Sequence, residues 1–113
     1  MANTYKPKPG NPAGGNLSAT LTTVYTVPSA TTALIKSVYV ANIHATNSGT
    51  FDMCVTLSGV TGDIYLIKGV SISPGTTLQI LEEPLALAAG DIVKFKASAA
   101  STLDAIFSIL EIT

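Results

Sequence analysis

The sequence has few of the side chains from which active sites are built. Among its 113 residues there are one histidine, one cysteine, no tryptophan and no arginine. The single cysteine, Cys54, cannot form a disulfide within the chain, so burial and sheet pairing must stabilise the fold, and nothing favours an oxidising compartment. We expect neither an enzyme nor a protein that carries a cofactor.

Charge is equally scarce. Charged residues make up 12% of the sequence and the net charge is -1, which gives no basic surface of the kind that nucleic acids require. Residues 1–4 lack the features of a signal peptide, and no run approaches the roughly 18 apolar residues that span a bilayer. We therefore expect a soluble protein that is made in the cytoplasm and binds neither nucleic acid nor membrane. Its neutral surface, rich in Thr and Ser, is suited to being covered by a partner.

From Leu21 onward the sequence alternates apolar and polar residues in short stretches that end at Pro, Gly, Ser or Asn. Turn signals recur about every dozen residues, which is the spacing of a sandwich or barrel. Leu103–Ile112 is apolar on both faces, so we expect it to be a central strand. Only residues 84–91 could hold a helical turn. The pattern predicts an all-β fold, an antiparallel β-sandwich of jelly-roll type.

Residues 1–16 have a different composition, because proline and glycine dominate them. We predict that they form an extended N-terminal arm outside a sandwich domain of residues 17–113. The prolines would hold the arm extended and the glycines would let it bend. We expect this arm to lie across a neighbouring subunit, and the alternative is a disordered tail. The candidate partner-binding residues are Tyr5, Lys6, Pro7, Lys8, Pro9 and Pro12.

His44 and Cys54 are the only pair that could indicate nucleophilic catalysis. They flank a predicted hairpin turn at residues 47–49. That hairpin would place Cys54 on the sheet face opposite His44, about 10 Å away at the rise of a strand. We therefore predict no catalytic residues.

The acidic residues offer no predicted metal site, since Asp52, Asp63, Asp91 and Asp104 stand singly near turns. Glu82 and Glu83 are adjacent, and their side chains would point apart on an extended chain. The tyrosines could stack on a sugar if they shared an exposed sheet face, although partial burial in the sheet is the favoured interpretation. The tyrosines in question are Tyr25, Tyr39 and Tyr65.

Five segments spread over residues 20–112 carry a family resemblance. They are Thr23-Val24-Tyr25-Thr26-Val27-Pro28, Tyr39-Val40-Ala41-Asn42, Ser73-Pro74-Gly75-Thr76-Thr77-Leu78, Leu87-Ala88-Ala89-Gly90-Asp91 and Ser108-Ile109-Leu110-Glu111-Ile112. Together they resemble the small virion structural proteins of tailed bacteriophages. The resemblance implies a β-sandwich, sometimes a jelly roll, present in many copies as a capsid cement or as a neck or tail component. It carries over no functional residues.

On this basis we expect a capsid decoration (cement) protein that stabilises the head by bridging major capsid subunits. Its partners would be the major capsid protein or other virion proteins, and it would be located in the virion. We expect it to form a homo-oligomer, for which a trimer is the natural guess. Two alternatives stay open: a structural protein of the neck, tail or baseplate, and a host-recognition module that binds glycans.

Overall fold

The computed structural model describes residues 3–12, 14–81, 83–99 and 102–113. Within these ranges the chain forms nine β-strands and no helix. The strands are β1 (Asn3–Pro9), β2 (Thr22–Thr26), β3 (Thr32–Asn42), β4 (Gly49–Thr56), β5 (Ile64–Ile72), β6 (Thr77–Gln79), β7 (Leu85–Leu87), β8 (Ile92–Ala97) and β9 (Leu103–Ile112).

The strands form two sheets with antiparallel pairing throughout. Sheet A has the order β1-β9-β3-β6, and β7 also pairs with β3. Sheet B has the order β2-β8-β4-β5. The predicted all-β sandwich is confirmed, and β9 is central as predicted, because it lies between β1 and β3.

The core lies between the inner faces of the two sheets, where aromatic rings from both meet. Phe107 of β9 packs edge-on against Phe95 of β8, with ring centroids 5.3 Å apart. Phe95 in turn contacts Phe51 of β4 at 5.2 Å. All three rings are buried. Such edge-to-face contacts between aromatic rings stabilise a core beyond the area that they bury.

Two bulges change which side chains reach this core. In β2 the register shifts between Thr23 and Tyr25, so that the consecutive residues Val24 and Tyr25 are both buried. A second shift in β3 follows Ile35, which keeps Ile35 buried but leaves Tyr39 exposed. Strict alternation predicts Ile35 and Tyr39 on the same face. It fails here because an extra residue in a bulge reverses the alternation beyond it.

The structure corrects the predicted arm. Residues 3–9 are extended as expected, but they form β1, the edge strand of sheet A, and pair with β9 along their whole length. The N–H of Gly10 donates to the carbonyl oxygen of Ala105, so in β1 the even-numbered N–H groups face β9. Pro7 and Pro9 stand at odd-numbered positions, where no ladder hydrogen bond is needed. Residues 1, 2 and 13 of the predicted arm lie outside the described residues.

The predicted hairpin at residues 47–49 is also corrected. β3 belongs to sheet A and β4 to sheet B, so this connection crosses from one sheet to the other. Residues 84–91 hold no helical turn, but β7 followed by a tight turn. The carboxylate of Asp91 stabilises that turn by accepting hydrogen bonds from the N–H groups of Ala88 and Ser58.

The crossing between the sheets is organised by Asn42, whose side chain is buried at the end of β3. Its Nδ2 donates to the carbonyl oxygens of Asn47 and Ile72, at 2.9 and 2.8 Å. Its Oδ1 accepts from the N–H of His44 at 2.8 Å. One side chain thus connects the end of β3, the crossing segment and the end of β5.

We expect Asn42→Ala to lower the free energy of unfolding by about 2 kcal/mol or more, because it removes the partners of several backbone groups at a buried position. Chemical denaturation monitored by circular dichroism would measure the loss. Asn47→Ala is the matched control. Its exposed side chain makes a long contact with Thr46, at 3.5 Å, so its effect should stay within about 0.5 kcal/mol. Equal stability of the two variants would contradict this role of Asn42.

Candidate interaction surface

The outer face of sheet A carries two rows of apolar side chains, which Pro7, Ser108 and Ser37 separate. Across the strands, Pro9 pairs with Ile106 and Ile106 with Tyr39, while Tyr5 pairs with Leu110 and Leu110 with Leu34. These residues share the face that points away from sheet B. We call this set the apolar face, and it consists of Tyr5, Pro7, Pro9, Leu34, Tyr39, Ile106 and Leu110.

Several members of the apolar face are open to solvent. The exposed fraction is 71% for Tyr5, 50% for Ile106 and 43% for Tyr39. Two charged residues accompany it: Lys36 lies in the β3 bulge, between Leu34 and Tyr39, and Asp104 lies near one end of β9. Asp104 accepts a hydrogen bond from Asn16 Nδ2 at 2.7 Å. Several exposed apolar side chains on one sheet face are typical of a protein interface.

The structure divides the predicted partner-binding residues among three environments. Tyr5, Pro7 and Pro9 lie on the apolar face, whereas the half-buried Lys6 and Lys8 point toward sheet B. Pro12 lies in an exposed turn after β1. The six residues therefore do not form one common surface.

Lys6 and Lys8 contact a small polar cluster between the sheets. Lys6 Nζ lies 2.8 Å from Glu111 Oε1, and the hydroxyl of Tyr25 donates to Glu111 Oε2 at 2.6 Å. Lys8 Nζ lies 5.8 Å from the centroid of the Tyr25 ring. Because Glu111 is almost fully buried, this cluster gives its carboxylate both a positive charge and a hydrogen-bond donor. It connects β1, β2 and β9.

These contacts shift two pKa values in opposite directions. The hydrogen bonds from Lys6 and Tyr25 hold the pKa of Glu111 below its usual 4.5, against the opposing effect of burial. Burial, together with the bond to the Glu111 carboxylate, raises the pKa of Tyr25 well above its usual range. The cluster is thus an ionised carboxylate held by a lysine and a neutral tyrosine.

His44 and Cys54 do not meet in the structure. The imidazole Nδ1 of His44 accepts hydrogen bonds from the backbone N–H groups of Thr46 and Asn47, so it stabilises a turn. Cys54 lies in β4 and is fully buried, and burial raises the pKa of its thiol. Their surroundings are those of structural residues.

The three tyrosines considered for sugar stacking lie in different places. Tyr25 is buried between the sheets, Tyr39 is on the apolar face, and Tyr65 is on β5 at the edge of sheet B. No sheet face brings the three together. Lys68 Nζ lies 4.3 Å from the centroid of the Tyr65 ring.

The described residues offer few other kinds of site. They include no group of three or more His, Cys, Asp or Glu side chains placed to bind a metal ion, and they line no pocket. They also contain no helix with the length and apolar character needed to cross a membrane.

Comparison with known proteins gives one structural likeness. No family model matches the sequence, and no curated protein matches it significantly. The fold is similar to that of a chain from Bacillus endospore appendages, which form a novel family of disulfide-linked pili. The TM-score is 0.56 and the sequence identity 15%, with 99% of this chain and 87% of that chain covered. At this identity the likeness establishes the fold alone.

Sequence reasoning did not identify Ile106 or Glu111 as members of a surface or cluster. Ile106 belongs to a strand that is apolar on both faces, so its exposure depends on what covers each face of the sheet. Glu111 did leave a signal, because it is one of two acidic residues in an otherwise apolar strand. An acidic residue at an inward position requires a cationic or hydrogen-bonding partner.

We expect Glu111→Gln to destabilise the protein by about 1–3 kcal/mol at neutral pH, because it removes charged hydrogen bonds at a buried position. The pKa of Glu111 is lower in the folded state, so its contribution is present above the unfolded pKa and is lost as the pH falls through the folded one. The difference in unfolding free energy between wild type and variant should therefore shrink from about pH 7 to about pH 3.

Asp63→Asn is the control for this titration. Hydrogen bonds from Thr56 and Lys94 also lower the pKa of Asp63, but the residue is exposed, so its effect on stability should be small. Denaturation curves across the pH series would measure both variants. A difference for Glu111→Gln that does not change with pH would contradict the assigned charge state.

Proposed function

We propose that this chain is a structural subunit of a larger multi-copy assembly, and specifically a virion structural protein that decorates a phage capsid. The observation that carries the proposal is the apolar face. A small sandwich with little charge and with exposed Tyr5, Ile106 and Tyr39 on one sheet presents a surface that a partner would cover. Many copies bound symmetrically would reinforce one another, because each contact raises the effective concentration for the next.

The proposed fold is the jelly-roll form of the β-sandwich. The support comes from the order of the strands, β1-β9-β3-β6 in one sheet and β2-β8-β4-β5 in the other. In both sheets strands that are distant in sequence are neighbours, as long Greek-key connections require. β6 and β7 together would occupy one strand position at the edge of sheet A, since both pair with β3.

The structural likeness supports a second candidate, a subunit of a self-assembled fibre. The pili of the Bacillus appendages are disulfide-linked, whereas Cys54 of this chain is buried within sheet B. A fibre of this chain would therefore depend on surface contacts and strand pairing. Both candidates need the same property, a domain that binds further protein copies through its surface.

The proposal is tested by measuring where the chain is found and in how many copies. We expect quantitative mass spectrometry of purified phage particles from cells that encode this chain to detect it as a stable component. A copy number close to that of the major capsid protein supports decoration of the head, and a far lower one supports the neck or tail. Its absence from particles and its presence in extracellular filaments would overturn the phage proposal in favour of the fibre.

The apolar face is tested by Ile106→Lys, which places a charge between Pro9 and Tyr39. We expect this variant to fold normally, with stability within about 1 kcal/mol, because the side chain is half exposed. Its binding to particles, measured by co-sedimentation, should be largely lost because the lysine would have to be desolvated. Val60→Lys is the matched control. Val60 is 49% exposed, but it lies away from the apolar face, in the loop between β4 and β5 of sheet B. Equal binding by the two variants would remove the apolar face from the proposal.

A further inference from the structure

β1 contributes little to the hydrophobic core of the domain to which it belongs. None of its residues belongs to the cluster of buried apolar side chains, and among the described strands it pairs only with β9. It is held by its backbone ladder, by the Lys6–Glu111 ion pair and by the contact of Lys8 with Tyr25. A strand held in this way can dissociate from β9 without exposing the hydrophobic core.

The site that β1 occupies is nevertheless selective. Without β1, the edge of β9 would expose its backbone groups, and the buried carboxylate of Glu111 would lose its cation. A strand that fits must place a lysine opposite Ile109, diagonal to Glu111, from where Lys6 Nζ reaches the carboxylate at 2.8 Å. It must also donate backbone N–H groups toward β9 at alternate positions. β1 does both, with its two prolines at positions whose nitrogen faces away from β9.

The segment between β1 and β2 can act as a hinge. Its two ends are fixed to β9, because the N–H of Gly10 donates to Ala105 and that of Leu17 donates to Leu103, each at 2.8 Å. Between them Gly14 and Gly15 have φ angles of 85° and 80°, which only glycine adopts at low cost. Glycine adopts negative φ as readily, so both residues can extend the segment and carry β1 away from its own sandwich.

We propose that β1 is exchanged between copies of this chain, so that residues 3–9 of one copy pair with β9 of a neighbour and place Lys6 on its Glu111. The occupant is a second copy because the charge pattern and register that the site requires are those of β1 itself. The proposal rests on the multi-copy assembly proposed above. In dilute solution the tethered strand has an effective concentration of about millimolar, so pairing within one copy prevails there. Exchange becomes favourable when assembly raises the local concentration of neighbours.

Pro7 and Ser108 provide the probe for this exchange. They are paired on the apolar face, at a position where the two strands make no hydrogen bond and the Cα atoms come within about 4.5 Å, which a disulfide can bridge. In a Cys54→Ala background, one chain carries Pro7→Cys and a second chain, with a tag that changes its mass, carries Ser108→Cys. The two are mixed at high concentration, oxidised and separated on a non-reducing gel.

Exchange predicts a disulfide-linked heterodimer of the two chains, whose yield rises with protein concentration. The control replaces Ser108→Cys with Thr61→Cys, an exposed position in the turn before β5. Several-fold more heterodimer with Ser108→Cys than with Thr61→Cys supports the proposal. Equal yields of the two pairs at every concentration would overturn it.

A chain that carries both Pro7→Cys and Ser108→Cys separates this proposal from the proposed function. Oxidised when dilute, it locks β1 onto its own β9, and we expect the locked form to lose assembly or particle binding and to regain it after reduction. If the locked form assembles as well as the reduced form, strand exchange is wrong and the assembly role stands. If neither form assembles or binds particles while the wild type also fails, the proposed function is wrong and the exchange that rests on it falls too.

Discussion

The packing of Phe107 against Phe95 is the contact on which the rest of the structure depends. Phe107 belongs to sheet A and Phe95 to sheet B, so their edge-on packing joins the two sheets at the centre of the domain. Tyr25 reaches the same place from β2, with its ring centroid 6.4 Å from that of Phe107. The hydroxyl of Tyr25 then requires a polar partner, and Glu111 supplies it. The ionised Glu111 requires a cation in turn, and Lys6 brings β1 into the sheet.

This sequence of requirements explains why a segment with few apolar residues belongs to the fold. β1 is retained because it satisfies a polar group that the aromatic core introduces, and because it completes the ladder of β9. Its outward residues, Tyr5, Pro7 and Pro9, extend the apolar face. The same seven residues thus connect the interior of the domain with the surface through which we propose that it assembles.

The sequence was sufficient to predict the all-β class and several strands, because alternation such as that of Phe51 and Met53 with Thr50 and Asp52 reports directly on a half-buried strand. It was also sufficient to identify β9 as central. It was not sufficient to place residues 3–9, because prolines and lysines are typical of a solvated arm. Only the position of the prolines relative to the ladder, together with the partner of Glu111, distinguishes an edge strand from an arm.

Two further differences have local physical causes. The bulges in β2 and β3 move Tyr25 inward and Tyr39 outward, and a bulge leaves no clear mark in a sequence where β-branched residues are abundant. The sequence of the crossing at residues 47–49 resembles that of a hairpin turn, because Asn and Gly are suited both to hairpin turns and to connections between sheets. What sends the chain to the other sheet is the set of hydrogen bonds made by Asn42, which joins segments that are distant in sequence.

The alternation of proline in β1 has a consequence for how this protein behaves when crowded. The edge of sheet A that β1 forms lacks N–H groups at two alternate positions, Pro7 and Pro9, that face away from β9. A foreign strand that approaches this edge finds carbonyl acceptors but not the donors that a regular ladder would need. The β1 edge of sheet A is therefore protected against uncontrolled edge-to-edge growth. A domain with so little charge to keep its copies apart can then be concentrated without this edge becoming a template for aggregates.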